Sequence, residues 1–402
     1  MTTPNRAAAL PSQRAVRPMA STAAYFAAIM GLGLVSASLG PTLLGLAENT
    51  RSEISQISYL FLARSTGYML GTLLGGRTID RKPAHYVMAA AIVVISAAIF
   101  TVPSVTLLVL LAMVLVVVGM SEGTVDVGTN TLLVWVQRDR VGPYMNALHF
   151  FFGVGAFLSP ILVVQIVAWT GGITWAYRAL ALLIAPLAIW IVLLPSPTHV
   201  VADVTTTRSI RENVVLLVII AFFMFLTVGA EVTFAGWIYT YAATVGLATA
   251  TTAGYLTSVF WGTFTLGRLV GIPAAAVFRP RAILLVDLIG CIASMAVILI
   301  WRDQVWAVWA GAAGFGLFMA TIFATMFLWA ERRLDMTGST ARWFFVGSSL
   351  GAMTLPWLAG QLFGRVGPGA AMATVFVTMV ANLLVFFVLM RFGGRPRSGQ
   401  AD

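Results

Sequence analysis

The chain is 402 residues long, and 59% of them are hydrophobic while only 9% are charged. Soluble domains carry roughly 25% charged residues, so this composition excludes a soluble globule. The formal net charge of +10 does not mark a nucleic-acid surface, because the basic residues sit in short loops between apolar runs. One cysteine, Cys291, excludes a disulfide framework and a cysteine-based metal site.

Apolar runs of about 20 residues, each long enough to cross a bilayer as a helix, recur along the whole chain. Residues 1–20, with Arg6, Arg14 and Arg17, read as a cytoplasmic tail ahead of an uncleaved first span. Six spans follow near 21–47, 54–78, 84–103, 107–137, 144–169 and 173–194, making an N-terminal bundle over 21–194. A polar linker at 195–212 separates them from six more, near 213–243, 250–278, 281–301, 304–331, 339–365 and 368–391. These make a C-terminal bundle over 213–391, followed by a tail at 392–402. Arg77, Arg81, Lys82, Arg138, Arg140, Arg208, Arg211, Arg391, Arg395 and Arg397 fall in alternate loops and tails, whereas the other loops hold only Arg51, Arg302 and Arg365. The positive-inside rule then expects a multi-pass protein of the cell (inner) membrane with both termini and the linker in the cytoplasm.

The two halves resemble each other. An offset of 196 residues lays Gly33 on Gly229, Gly40 on Gly236, Gly71 on Gly267 and Gly75 on Gly271. The same offset lays GAFLSP (155–160) on GAMTLP (351–356). A parallel repeat of six-helix bundles with a substrate site between them is the architecture of major facilitator transporters. GRTIDRK (76–82) is similar to that superfamily's G-x-x-x-D-R/K signature, which marks Gly76, Asp80 and Arg81 as a gating loop. Gly67, Gly71 and Gly75 form a small-residue ridge for close helix approach.

A scaffold requirement should apply to both halves, so one-sided charges point to function. Under the offset Glu122 falls on Phe318, Asp126 on Ile322, Asn130 on Met326 and Arg64 on Phe260, while Glu231 maps back to Val35. A charge at a helix centre costs about 2.5–3.5 kcal/mol on insertion scales and usually faces a cavity. Glu122, Asp126 and Asn130 step by four along one helical face. Arg64 matches Glu122 in depth, which predicts either a structural Arg64–Glu122 ion pair or a free Glu122 in ion coupling. Asp126, with Glu122 or Glu231, is the candidate for cation coupling, since a carboxyl in a semi-dry cavity exchanges a proton or ligates Na⁺.

Asn130, Asn146, His149, Trp237 and Tyr241 are the candidates for a substrate cavity, because sugars need ring faces to stack on and amides or carboxylates for their hydroxyls. Asp287 and Arg268 lie toward the cytoplasmic ends and read as loop-anchoring charges, as does Asp80 with Arg77 and Arg81.

Several segments carry a closer resemblance. GPTLLGLAENT (40–50), FLARSTGYMLGTLLGGRTIDR (61–81), DVGTNTLLVW (126–135), MNALHFFFGVGAFLSP (145–160), VGAEVTFAGWIYTY (228–241) and FWGTFTLGR (260–268) resemble the sodium-dependent glucose transporter-like branch of the major facilitator superfamily. That branch is similar to the fucose:proton symporter family, whose acid-xxx-Asn pattern in the fourth span is matched by Asp126 and Asn130. The first span departs from those symporters, because residues 31–46 contain no acid. The resemblance implies a twelve-helix, all-α secondary transporter for a hexose or polyol, coupled to H⁺ or Na⁺. It would act as a monomer in lipid, with no enzyme activity, no nucleic-acid partner and no further cofactor. A proton-driven drug or metabolite exporter of the same fold is the alternative, and a transporter-like sensor is a third class. No ATP-binding P-loop is present to suggest a primary pump.

Overall fold

The computed structural model describes residues 18–197, 214–334 and 338–392. The expected cytoplasmic tails and most of the linker, including Arg208, Arg211, Arg395 and Arg397, lie outside the described residues. Everything else is helix and short connection, as a bilayer demands: within lipid every backbone N–H and C=O must be satisfied inside the segment.

Twelve spans can be followed among the described residues. The first is Pro18–Ser36 continued by Leu39–Thr50. Pro41 explains the break, because its ring clashes with the carbonyl four residues back, at Ala37, and it donates no hydrogen bond. A short turn, Ile54–Ile57, leads into the second span, Tyr59–Ile79. The third to sixth are Ala84–Thr101, Leu108–Gln137, Val141–Thr170 and Ile173–Leu193. Val214–Thr244, Ala250–Val277 and Pro280–Ile300 are the seventh to ninth. The tenth is broken into Val305–Met319 and Ile322–Glu331, and Gly338–Val366 and Gly369–Phe392 complete the set. Nine segments among the described residues are long and apolar enough to cross a membrane, and one of them, Leu108–Thr170, holds two consecutive helices. The second and eleventh helices are not among the nine. They carry Arg64 and Arg77, and Arg342 and Arg365, and they pack against each other across the middle of the molecule instead of facing lipid all round.

Glycines set the packing within each bundle, and they do so twice. A Cβ at Gly71 would lie 1.9 Å from the Met120 carbonyl oxygen, and one at Gly67 would lie 2.0 Å from that of Val116, so the second span lies directly on the fourth. In the other half Gly267 and Gly271 put the eighth span on the tenth, against Leu317 and Thr321. A Cβ at Gly155 would lie 2.0 Å from the Met30 carbonyl oxygen, and one at its repeat mate Gly351 would lie the same distance from that of Phe225. The ridge therefore serves packing inside a bundle. Replacing Gly71 with valine is expected to cost about 1–3 kcal/mol or more by overpacking against an immovable carbonyl. A melting curve in detergent checks this, and an unchanged midpoint would contradict it.

The bundles meet on a pseudo-twofold axis. Gly40 and its repeat mate Gly236 touch there: a Cβ at Gly40 would lie 3.4 Å from the Gly236 Cα.

Candidate functional site

Between the bundles lies a cavity of about 350 Å³. Its walls come from both halves, with Ser36, Arg64, Tyr68, Glu122, Asp126 and His149 on one side and Glu231, Trp261, Arg268 and Ser349 on the other. It is closed at the face remote from Pro18 and Phe392. There Gln361 Nε2 donates to the Ser55 carbonyl at 2.7 Å and to Ser58 Oγ at 3.2 Å, Gln165 bonds Tyr255, and Gly254 packs on Val164. Toward the face of Pro18 and Phe392 it opens, and Phe345 on its wall is 52% exposed.

Two polar layers line it. In the deeper layer Arg64 is clamped: Nε donates to Glu122 Oε2 at 2.8 Å and Nη2 to Oε1 at 2.6 Å. Its remaining donors reach the Ser36 carbonyl at 3.1 Å and Ser36 Oγ at 3.0 Å. Glu122 is 2% exposed, so this bidentate pair neutralises two charges that would be costly alone. The sequence left Glu122 open between pairing and coupling, and the structure shows the pair.

About 6 Å nearer the open face, one helical turn on, sits Asp126. Tyr68 donates its hydroxyl to Asp126 Oδ2, and Asn130 Nδ2 donates to Oδ1 at 3.1 Å and to the Asp126 carbonyl at 2.9 Å. Asn130 thus orients Asp126 and does not itself line the cavity. Tyr68 is the partner that sequence reasoning missed. It lies one turn from Arg64 on the same face, so the Arg64–Glu122 pairing, shifted by one turn on both helices, predicts Tyr68–Asp126.

Several other expectations require correction. Trp237 does not line the cavity: it is fully buried between Phe61 and Phe363, and its ring N–H donates to the Pro356 carbonyl at 2.9 Å. Tyr241, one turn further, is also buried and away from the wall. Asn146 is exposed and does not line the cavity. Arg268 is no loop anchor, since it lies in the cavity wall with its guanidinium 4.6 Å from the centre of the Phe264 ring. Asp287 is likewise internal: it is buried and accepts the Thr321 hydroxyl at the break in the tenth span. His149 and Glu231 do line the cavity, and Asp80, in the loop after the second span, lies away from it.

Two six-helix bundles around a central cavity closed on one side define a membrane transporter. Residues 22–356 match the sequence profile described as Major Facilitator Superfamily. The chain is 31% identical to sodium-dependent glucose transporter 1A of Mus musculus over 85% of its length and 89% of that protein. It is 32% identical to sodium-dependent glucose transporter 1 of Xenopus laevis, over 82% of the chain and 73% of the relative. The fold also matches a crystal structure of a mutant form of the nucleoside transporter NupG, with a TM-score of 0.74 and 12% identity over 92% of this chain and 99% of that one. The chain belongs to the Major Facilitator Superfamily, in the branch that holds these sodium-dependent glucose transporter 1 proteins.

Proposed function

We propose that the chain carries a hexose-type sugar across the cell membrane by alternating access, driven by cotransport of H⁺ or Na⁺ through Asp126. The observation that carries the reading is a carboxylate held ready in a central cavity whose one closed face is built from bonds between the halves. Relatives named as sodium-dependent glucose transporters support the sugar. With the termini cytoplasmic, as the basic loops imply, the cavity faces inward. Outward opening then separates the halves at Ser55, Ser58 and Gln361. Asp126 holds the coupling cation and Tyr68 and Asn130 orient it, while Trp261 and Phe152 offer ring faces to the sugar. In this reading Glu231 is a further acidic group in the same cavity, and the loop carrying Gly76, Asp80 and Arg81 gates the cytoplasmic side.

Cross-linking tests the motion. A Cβ at Gly364 would lie 3.1 Å from Ser55 Cβ, a few tenths short of the roughly 3.5–4.5 Å of a disulfide. Oxidised Ser55→Cys/Gly364→Cys protein is expected to lose at least nine-tenths of its uptake of labelled hexose and to regain it with reductant. Full uptake by the cross-linked protein would sink alternating access at this face. A hexose panel in vesicles identifies the solute, and no uptake of any hexose would sink the sugar.

One observation favours a second reading, proton-driven export of a drug or metabolite. The wall holds six aromatic side chains (Phe61, Tyr68, Phe152, Trp261, Phe323 and Phe345), and the amides expected of a sugar site lie outside it. Saturable efflux of a lipophilic cation, with no hexose uptake, would select it.

A further inference from the structure

The two arginines of the cavity are in opposite situations. Arg64 spends its donors on Glu122 and Ser36. Arg268 makes no hydrogen bond or ion pair among the described residues, and its recorded contact is the face of Phe264. Glu231, which shares the cavity, acts on it electrostatically, and the two form no ion pair among the described residues. A guanidinium is permanently charged and presents a planar fork of donors suited to a carboxylate. Ser349, whose hydroxyl makes no hydrogen bond among the described residues, and His149, across the cavity on the fifth span, add further donors to the same layer. This layer lies nearer the open face than Glu231: Arg268 is nine residues, about 13 Å, from the end of its helix, and Glu231 is about 25 Å from the corresponding end of its own.

Taking the cavity as the sugar site, we propose that it contains an anion subsite centred on Arg268, so that it accepts sugars bearing a carboxylate, such as hexuronates, ahead of neutral isosteres. Glu231 is the resident competitor for that guanidinium. A ligand carboxylate supplies the contact that Glu231, held back in the deeper layer, does not make. Ring and carboxylate then bind together, with the ring against Trp261 and the carboxylate toward the open face.

Equilibrium binding of D-glucuronate and its neutral isostere glucuronamide to the purified full-length protein tests this, with D-glucose alongside. Wild type is expected to bind glucuronate at least tenfold more tightly than glucuronamide. Arg268→Gln should abolish that preference, Arg268→Lys should restore part of it, and Glu231→Gln should tighten glucuronate binding. Equal affinities in wild type, a preference that survives Arg268→Gln, or no tightening in Glu231→Gln would overturn the proposal. Normal size-exclusion behaviour and a wild-type melting midpoint in each variant separate these outcomes from misfolding. If glucose is transported and glucuronate has no advantage, the subsite falls and the sugar reading stands. If glucuronate is preferred and no neutral hexose is taken up, the hexose reading falls and the subsite stands.

Discussion

Asp126→Asn is expected to abolish gradient-driven accumulation of substrate while leaving exchange of substrate across the membrane intact. Asparagine has the same shape, and its side-chain oxygen can still accept the Tyr68 hydroxyl. It cannot lose a proton near neutrality, and it offers a cation no negative charge. Net symport requires the coupling group to release its cation on one side and reload on the other. Exchange with substrate on both sides requires only that the loaded protein change face. Intravesicular substrate should therefore fall from several times the external level to parity, with counterflow near the wild-type rate. Accumulation that survives the substitution would remove Asp126 from coupling. Loss of both activities would make it a structural residue.

The second large effect concerns the Arg64–Glu122 pair. Glu122→Leu leaves a buried guanidinium with only Ser36 as partner, and breaking such a pair from one side costs about 3–5 kcal/mol. Arg64→Met should cost a similar amount by stranding Glu122. Replacing both partners with apolar groups of similar volume is often neutral or better, so Arg64→Met/Glu122→Leu is expected to recover most of the loss. Thermal melting in detergent measures all three variants, and the sign of the coupling between them decides. If the double variant is as unstable as the sum of the singles, the coupling energy is zero and the two residues do not stabilise each other.

How much of this was legible in the sequence depends on what a residue must satisfy. The glycines at 67, 71 and 75 and their mates at 267 and 271 were legible because close helix approach admits no Cβ, and the repeat states the requirement twice. Glu122 and Arg64 were legible as a pair because two intramembrane charges of opposite sign at one depth have few alternatives. Trp237 and Tyr241 were misplaced for a physical reason. The seventh span is apolar all round, so no polar stripe shows which face meets the cavity and which meets the eleventh span. Arg268 was misplaced because depth alone was used. Under the 196-residue offset it falls on Thr72, so it is as one-sided as Glu231 and belongs with the cavity charges. Tyr68 carries no intramembrane charge and is seen only when the second helix is rotated onto the fourth.

In the proposed mechanism a cation gradient acting through this cavity drives a sugar uphill. The most direct test is accumulation of labelled glucose in proteoliposomes of the purified protein, under an inward H⁺ or Na⁺ gradient and then after an ionophore collapses it. Coupled transport gives accumulation above the external concentration under one of the two gradients, with prompt release to parity once that gradient is gone. Labelled glucose that only equilibrates, at the same level under either gradient and under none, would contradict it.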